Sequence, residues 1–540
     1  MNNGICAVPA RRNLPNEHYL AGSPERLKLE AELERMAANP VEIPVVAGGK
    51  EIFTGRVKEI RAPHDHALVL GRYHEAGPAE LDLALQAGRS VARDWAALPW
   101  EERAAVFMKA AALIEQGYKY RLNAATMLGQ SKNIYQAEID AACESADFYS
   151  NNPYFASQIY RRQSESTSAE LNRLEYRPLE GFVYAVTPFN FTAIAANLPS
   201  APALMGNVVM WKPASSSVLS NWHLMQLYRL AGLPDGVINF LPGRASEITT
   251  HLLGQPDFAG LHFTGSTGVF NSLWKGIAGN LENYRTYPRI VGETGGKDFV
   301  FVHPDADFAS AIPAIVRGAF EYQGQKCSAS SRLYLPRSRS QELLDALVAE
   351  TKKLKVGSPL EPGNFVNAVI DKAAFASIKG YIEKARSEAG CHILAGGKCD
   401  DSRGWFIEPT IILADKPDAT TMVEEIFGPV LTVYCYDDSD LDAAYKLVDA
   451  TSPYALTGAI FARERREIVR ALNALANAAG NFYINDKPSG AVVGRQPFGG
   501  ARGSGTNDKA GSELNLLRWI SARNIKENFT QLDSWAYGYM

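Results

Sequence analysis

Cysteine is scarce. Six thiols (Cys6, Cys143, Cys327, Cys391, Cys399 and Cys435) are spread over 540 residues, and no CxxC pair occurs. A chain this long buries a core without staples, so a disulfide scaffold is excluded and a reducing compartment fits. The nine histidines are scattered, with no HExxH and no cysteine–histidine cluster, so no metal site is expected. Charge of one sign is also lacking: 55 basic residues stand against 59 acidic ones, for a net charge of −4. Nothing in that balance offers an electrostatic footprint for nucleic acid.

Uninterrupted apolar runs are missing too. No charge falls between Glu180 and Lys212, but Pro188, Pro199, Pro202, Asn190, Asn197 and Asn207 break the stretch. A lone bilayer span would strand those polar groups in lipid. A buried strand–loop–helix–strand is expected instead, and no membrane partner. The N-terminus has no apolar signal core, and Glu17, Glu25 and Glu30 do not suit a transit peptide. A cytoplasmic protein is expected, although a mature mitochondrial matrix chain would look the same.

What the chain does have is alternation. Buried-strand patterns at Gly181–Val186, Asn207–Trp211, Val237–Leu241, Gly260–Phe263 and Phe299–Val302 alternate with amphipathic stretches such as Trp222–Ala231 and Phe308–Tyr322. Further strands are expected at Val430–Tyr436, Gly458–Phe461 and Asn481–Ile484. The pattern predicts α/β architecture with parallel sheets covered on both faces. Two segments break it: the polar Arg161–Arg177, and a C-terminal run ending in WAYGYM. By composition alone both also fit disorder.

One thiol is presented rather than hidden. Cys327 lies in GQKCSASSR, among small polar residues, just before the short strand pattern Leu333–Leu335. Four other motifs could serve it. Asn190 in TPFNF could donate to an oxyanion. FTGSTG, with Gly265 and Ser266, could bring a phosphate to helix N-terminal amides. GETGGKD places Glu293 among glycines, but Val291 and Asp298 spoil the P-loop pattern. EEIFGPV offers Glu425 to ribose hydroxyls. Singly, each also fits an ordinary turn.

Taken in order, PFNF, WKP, FTGS, ETGGK, GQKC, EEIFGP and PFGG resemble the aldehyde dehydrogenase superfamily from about residue 40 to the C-terminus. Within it the chain resembles most the monofunctional Δ1-pyrroline-5-carboxylate (glutamate-γ-semialdehyde) dehydrogenase branch. The marks are TPFNFTAI, EYQGQKCSA, NFYINDK and GAVVGRQPFGGARGSGTND. The resemblance implies a Rossmann-like NAD-binding domain, an α/β catalytic domain and a protruding β-flap for oligomerisation. The corresponding boundaries are an N-terminal extension over 1–40, a cofactor domain over 41–160 and 178–292, and a catalytic domain over 293–507. The flap and tail fall at 161–177 and 508–540, which implies at least a homodimer.

The implied chemistry is NAD-dependent oxidation of L-glutamate γ-semialdehyde to L-glutamate, the second step of proline catabolism. Succinate semialdehyde or aliphatic aldehydes are the alternative substrates. Cys327 is the nucleophile, Asn190 an oxyanion donor and Glu293 the general base that hydrolyses the thioester. Lys326 and a nearby helix end are expected to lower the thiol pKa. Lys212 and Ser215 fall to the adenosine ribose, Gly265 and Ser266 to the pyrophosphate, and Glu425 and Phe427 to the nicotinamide side. A serine at 215 would not repel a 2′-phosphate, so some NADP use is expected. Ser328, Gly490 and Ala491 would hold the substrate carboxylate, with Phe191 and Phe498 flanking its stem. Glu144 aligns with an acidic position near the family's site, and a solvated helix face explains it equally well.

Overall fold

The computed structural model describes residues 6–10 and 12–540. Two seven-stranded sheets dominate it. In the first, Arg289–Glu293, Phe258–Thr264, Phe182–Val186, Val208–Lys212 and Ile238–Phe240 lie side by side and parallel. Val45–Ala47 and Lys50–Ile52 extend one edge antiparallel. The charge-free stretch folds as expected into strand Phe182–Val186, helix Thr192–Leu204 and strand Val208–Lys212. Almost all of it is buried, because helices cover both faces of the sheet. No helix among the described residues is long and apolar enough to cross a membrane.

The second sheet runs in the order Cys391–Ala395, Thr410–Ala414, Val430–Tyr436, Ser330–Pro336, Asp298–Val302, Thr457–Phe461 and Asn481–Ile484. Only its first strand is antiparallel. A separate three-stranded sheet, in the order Val41–Ile43, Asp65–His74 and Val57–Ala62, reaches toward the second half of the chain, where His66 N–H donates to Arg403 O at 2.8 Å.

The polar excursion is ordered. Glu170–Pro178 pairs antiparallel with Ile520–Asn528 over nine residues, from Ile520 opposite Pro178 to Asn528 opposite Glu170. Arg523–Glu175 and Arg173–Glu527 ion pairs bridge the ribbon at 2.6 and 3.2 Å. The chain before it is not a loose tail: Leu516 and Trp519 are fully buried in the core of the first sheet. Apolar side chains there outweigh the polar character of the surrounding sequence.

Candidate active site

The two sheets meet through the ends of their strands. Because the first is parallel, the residues that end its strands share one edge: Glu293 closes Arg289–Glu293, Gly265 and Ser266 follow Phe258–Thr264, Asn190 follows Phe182–Val186, and Lys212 closes Val208–Lys212. In parallel sheets this carboxyl edge is where ligands bind. The second sheet offers its opposite end. Cys327 precedes Ser330–Pro336, Gly295 and Gly296 precede Asp298–Val302, and Glu425 and Phe427 precede Val430–Tyr436.

Short contacts lock these motifs together. A Cβ on Gly295 would stand 2.2 Å from Glu425 Oε2, and one on Gly296 would stand 2.3 Å from the Cys327 carbonyl oxygen. The glycines of ETGGK are therefore the point where three motifs touch. Gly296 N–H also donates to Glu425 Oε1 at 2.9 Å. Phe427, at φ +57°, places its ring edge-to-face on Phe189, with centroids 5.8 Å apart.

Asn190 is buried, and its amide donates to the Gln325 carbonyl at 3.1 Å. The helix behind it, Thr192–Leu204, has no side-chain cap of its own. Asp140 supplies one, accepting the N–H groups of Thr192 and Ala193 at 3.0 and 2.9 Å. A carboxylate is favourable there because the helix N-terminus is electropositive. Lys132, fully buried, balances that charge at 2.7 Å and lies over the rings of Phe191 and Tyr322, 4.1 and 4.4 Å from their centroids.

The electrostatics of Cys327 differ from the sequence expectation. Lys326 turns away into a buried ion pair with Glu321 at 3.0 Å. Burial pushes the Cys327 thiol well up, and the carboxylates of Asp298, Glu293 and Glu425 push the same way. No helix begins at the thiol, which follows the 3-10 turn Glu321–Gly324. A proton acceptor is therefore needed to make the thiolate.

Glu293 has the matching property. Burial raises its carboxyl well above the usual carboxylate range, against a hydrogen bond from Gly500 N–H at 3.2 Å. Its Oε1 is buried without a hydrogen-bond partner among the described residues. Glu144 does not lie on a solvated face. It ends a π-helical turn, Glu138–Glu144, and burial pushes its carboxyl up to about 8. Such turns concentrate at functional sites.

The first-sheet edge fits a dinucleotide. The Lys212 ammonium is buried with no side-chain partner among the described residues, and burial alone pushes it down to about 8. A desolvated cation of this kind calls for hydroxyl or phosphate oxygens. Ser215 opens the 3-10 turn Ser215–Ser217 at the surface and interacts with Tyr73. Ser266 caps helix Thr267–Ala278, accepting from Val269 N–H at 3.4 Å, with Gly265 just outside. The remaining amides of that helix's first turn suit a pyrophosphate.

Ser328 is buried beside Cys327, whereas Gly490 is exposed in the left-handed region at φ +88°, with Ala491 half-buried. Phe498 pairs its backbone with Ala510. Lys297 and Asp298, to which the sequence assigns no role, also lie in this region. Burial pushes the Lys297 ammonium down to about 7 and the Asp298 carboxyl up to about 8. Their signal was in plain view, as the charged pair ending GETGGKD. Lys132 and Asp140 carried no comparable signal.

The aldehyde dehydrogenase family profile matches residues 54–525. A mitochondrial Δ1-pyrroline-5-carboxylate dehydrogenase of Dictyostelium discoideum is 54% identical over 536 residues, covering 99% of this chain and 96% of the relative. A probable Δ1-pyrroline-5-carboxylate dehydrogenase of Schizosaccharomyces pombe is 52% identical, covering 98% of each. The crystal structure of the Mycobacterium tuberculosis Δ1-pyrroline-5-carboxylate dehydrogenase bound with NAD superposes with a TM-score of 0.96 at 48% identity, covering 100% of this chain and 99% of that one.

Proposed function

This chain belongs to the aldehyde dehydrogenase family, and on that premise we propose that it oxidises L-glutamate γ-semialdehyde to L-glutamate with NAD, the second step of proline catabolism. The carrying observation is that Cys327, Glu293 and Asn190 stand where the carboxyl edge of one sheet meets the amino edge of the other.

The raised Cys327 thiol gives up its proton to a nearby carboxylate and attacks the aldehyde carbon. The C–S bond forms and the carbonyl oxygen becomes an alkoxide. Asn190 has two amide protons and uses one on Gln325, leaving the other for that oxygen. Loss of such a donor costs ~2.7–4 kcal/mol. The chemistry supplied by NAD, when bound, is acceptance of the hydride that the adduct expels, which leaves a thioester on Cys327. Glu293 then takes a proton from water, whose oxygen adds to the thioester carbon and releases glutamate and the thiol. A base with a raised pKa suits this step near neutral pH.

Lys212, Ser215, Gly265 and Ser266 hold the adenosine and pyrophosphate, and Glu425 and Phe427 hold the nicotinamide side. With serine at 215, NADP is tolerated. Ser328 and the amides of Gly490 and Ala491 hold the substrate carboxylate, as converging backbone amides do. Phe191 and Phe498 flank its stem, and Glu144 borders the same site. The domain limits are those given above, and the ribbon of Glu170–Pro178 and Ile520–Asn528 joins two copies into a dimer. A bare two-stranded ribbon is marginal in water, which supports a partner for it. Work in a reducing aqueous compartment, cytoplasmic or mitochondrial matrix, fits the six unpaired cysteines.

The test is absorbance of the reduced nicotinamide with purified protein, NAD or NADP, and a panel of glutamate semialdehyde, succinate semialdehyde and propanal. Glutamate semialdehyde with NAD should give the highest kcat/KM, and Cys327→Ser should give none. Equal or better use of succinate semialdehyde or propanal would overturn the proposed specificity.

A further inference from the structure

The N-terminal extension is tied to the middle of the chain before it reaches the site. Tyr19 donates its hydroxyl to Glu138 Oε2 at 2.6 Å, and Glu17 N–H donates to Glu138 Oε1 at 3.2 Å. Glu17 also pairs with Lys119. The segment just upstream is thereby delivered to a fixed place, where Leu14 N–H donates to Asp147 Oδ1 at 2.8 Å.

Asn13 uses that place to join two distant parts of the chain. Its amide nitrogen donates to Asp147 Oδ2 at 2.7 Å and to the Val493 carbonyl at 2.8 Å. Its amide oxygen accepts from Arg495 Nε at 3.0 Å. Asp147 lies in helix Ser145–Tyr160, which starts immediately after Glu144. Val493 and Arg495 belong to the loop that carries Gly490 and Ala491. Three hydrogen bonds to one side chain fix the loop against that helix.

Other ties hold the ends of the loop: Lys487 Nζ donates to Ser489 O at 2.8 Å, and Asn481 Nδ2 donates to Pro497 O at 3.0 Å. Within itself, Arg495 and Gln496 N–H groups donate to Val492 O at 2.9 and 3.0 Å, forming a compact turn. Between those ends, Val493 seats its side chain in a small apolar cluster with Phe148 and Ala193. That cluster gives the loop a location, but apolar contact is non-directional and leaves its rotation open. Asn13 supplies direction. Burial pushes the Asp147 carboxyl up to about 6, while Leu14 and Asn13 hold it down through their hydrogen bonds.

We propose that Asn13 is a positioning residue for substrate specificity: by bridging Asp147 to Val493 and Arg495, it orients the Gly490–Ala491 amides toward the substrate carboxylate. This rests on the reading of that loop as the carboxylate anchor. Asn13 itself touches neither substrate nor cofactor. Its effect is therefore confined to substrates that carry the carboxylate.

The experiment compares wild type and Asn13→Ala, as full-length protein, on glutamate semialdehyde and on propanal, with the KM for NAD and thermal melting recorded. Asn13→Ala should raise KM for glutamate semialdehyde about ten-fold, the worth of one lost hydrogen bond, and change kcat/KM for propanal by less than about two-fold. The KM for NAD should not move. An unchanged KM for glutamate semialdehyde, or parallel losses on both aldehydes, would overturn the proposal. Should Asn13→Ala not fold, Arg495→Met, on an exposed side chain, should raise the same KM in a smaller degree; no change there would overturn it equally. Failure of the functional reading is seen separately, as wild type that oxidises propanal but not glutamate semialdehyde.

Discussion

Asn190 reaches from the first sheet to the second, its amide donating to the carbonyl of Gln325, two residues before Cys327. One hydrogen bond of 3.1 Å thus sets the proposed oxyanion donor against the loop that carries the proposed nucleophile. Catalytic groups on separate sheets need such ties, because a misplacement of about 1 Å can cost roughly a hundred-fold in rate.

Glu293→Gln should separate the two halves of the reaction. Hydride transfer is expected to proceed once, giving a burst of about one NADH per active site and then a slow phase, as when deacylation limits a covalent mechanism. Burial raises the Glu293 pKa, so its basic form is lost as pH falls, and wild-type turnover should decline on the acid side. The variant should lose that acid limb. Stopped-flow absorbance reads both, and absence of the burst would assign Glu293 to thiolate formation instead.

Ser328→Ala should cost affinity where a carboxylate is to be held. The expected rise in KM for glutamate semialdehyde corresponds to a charge-assisted hydrogen bond, about 1.5–3 kcal/mol. Turnover of propanal should change much less. Parallel steady-state measurements decide it, and equal losses would remove Ser328 from the anchor.

The C-terminal segment predicts an assembly effect. The chain leaves the ribbon at Asn528, and beyond it Trp535 and Tyr539 are 87% and 84% exposed. Rings so placed invite cover by another copy. Truncation after Asn528, which spares the ribbon, should shift the protein toward monomer in sedimentation velocity. An unchanged sedimentation coefficient per subunit mass would leave the tail without that role.

By itself the sequence determined the strand–helix alternation and the buried course of the charge-free stretch. Local apolar pattern and glycine placement carry that information, because each element's period and turns are written in adjacent residues. The grouping of Asn190, Glu293 and Cys327 was legible only through the ordered motifs of the family resemblance, since singly each also fits a turn. Only the tertiary structure decided the charge state around the thiol. Lys326 is next to Cys327 in sequence, yet its side chain turns to Glu321, while Asp298 and Glu425 arrive from other parts of the chain to raise the thiol pKa. Side-chain direction and desolvation depend on the whole packing and not on spacing. The same holds for Lys132 with Asp140, and for Asn13 with Val493. The last two are 480 residues apart, and folding brings them within 2.8 Å.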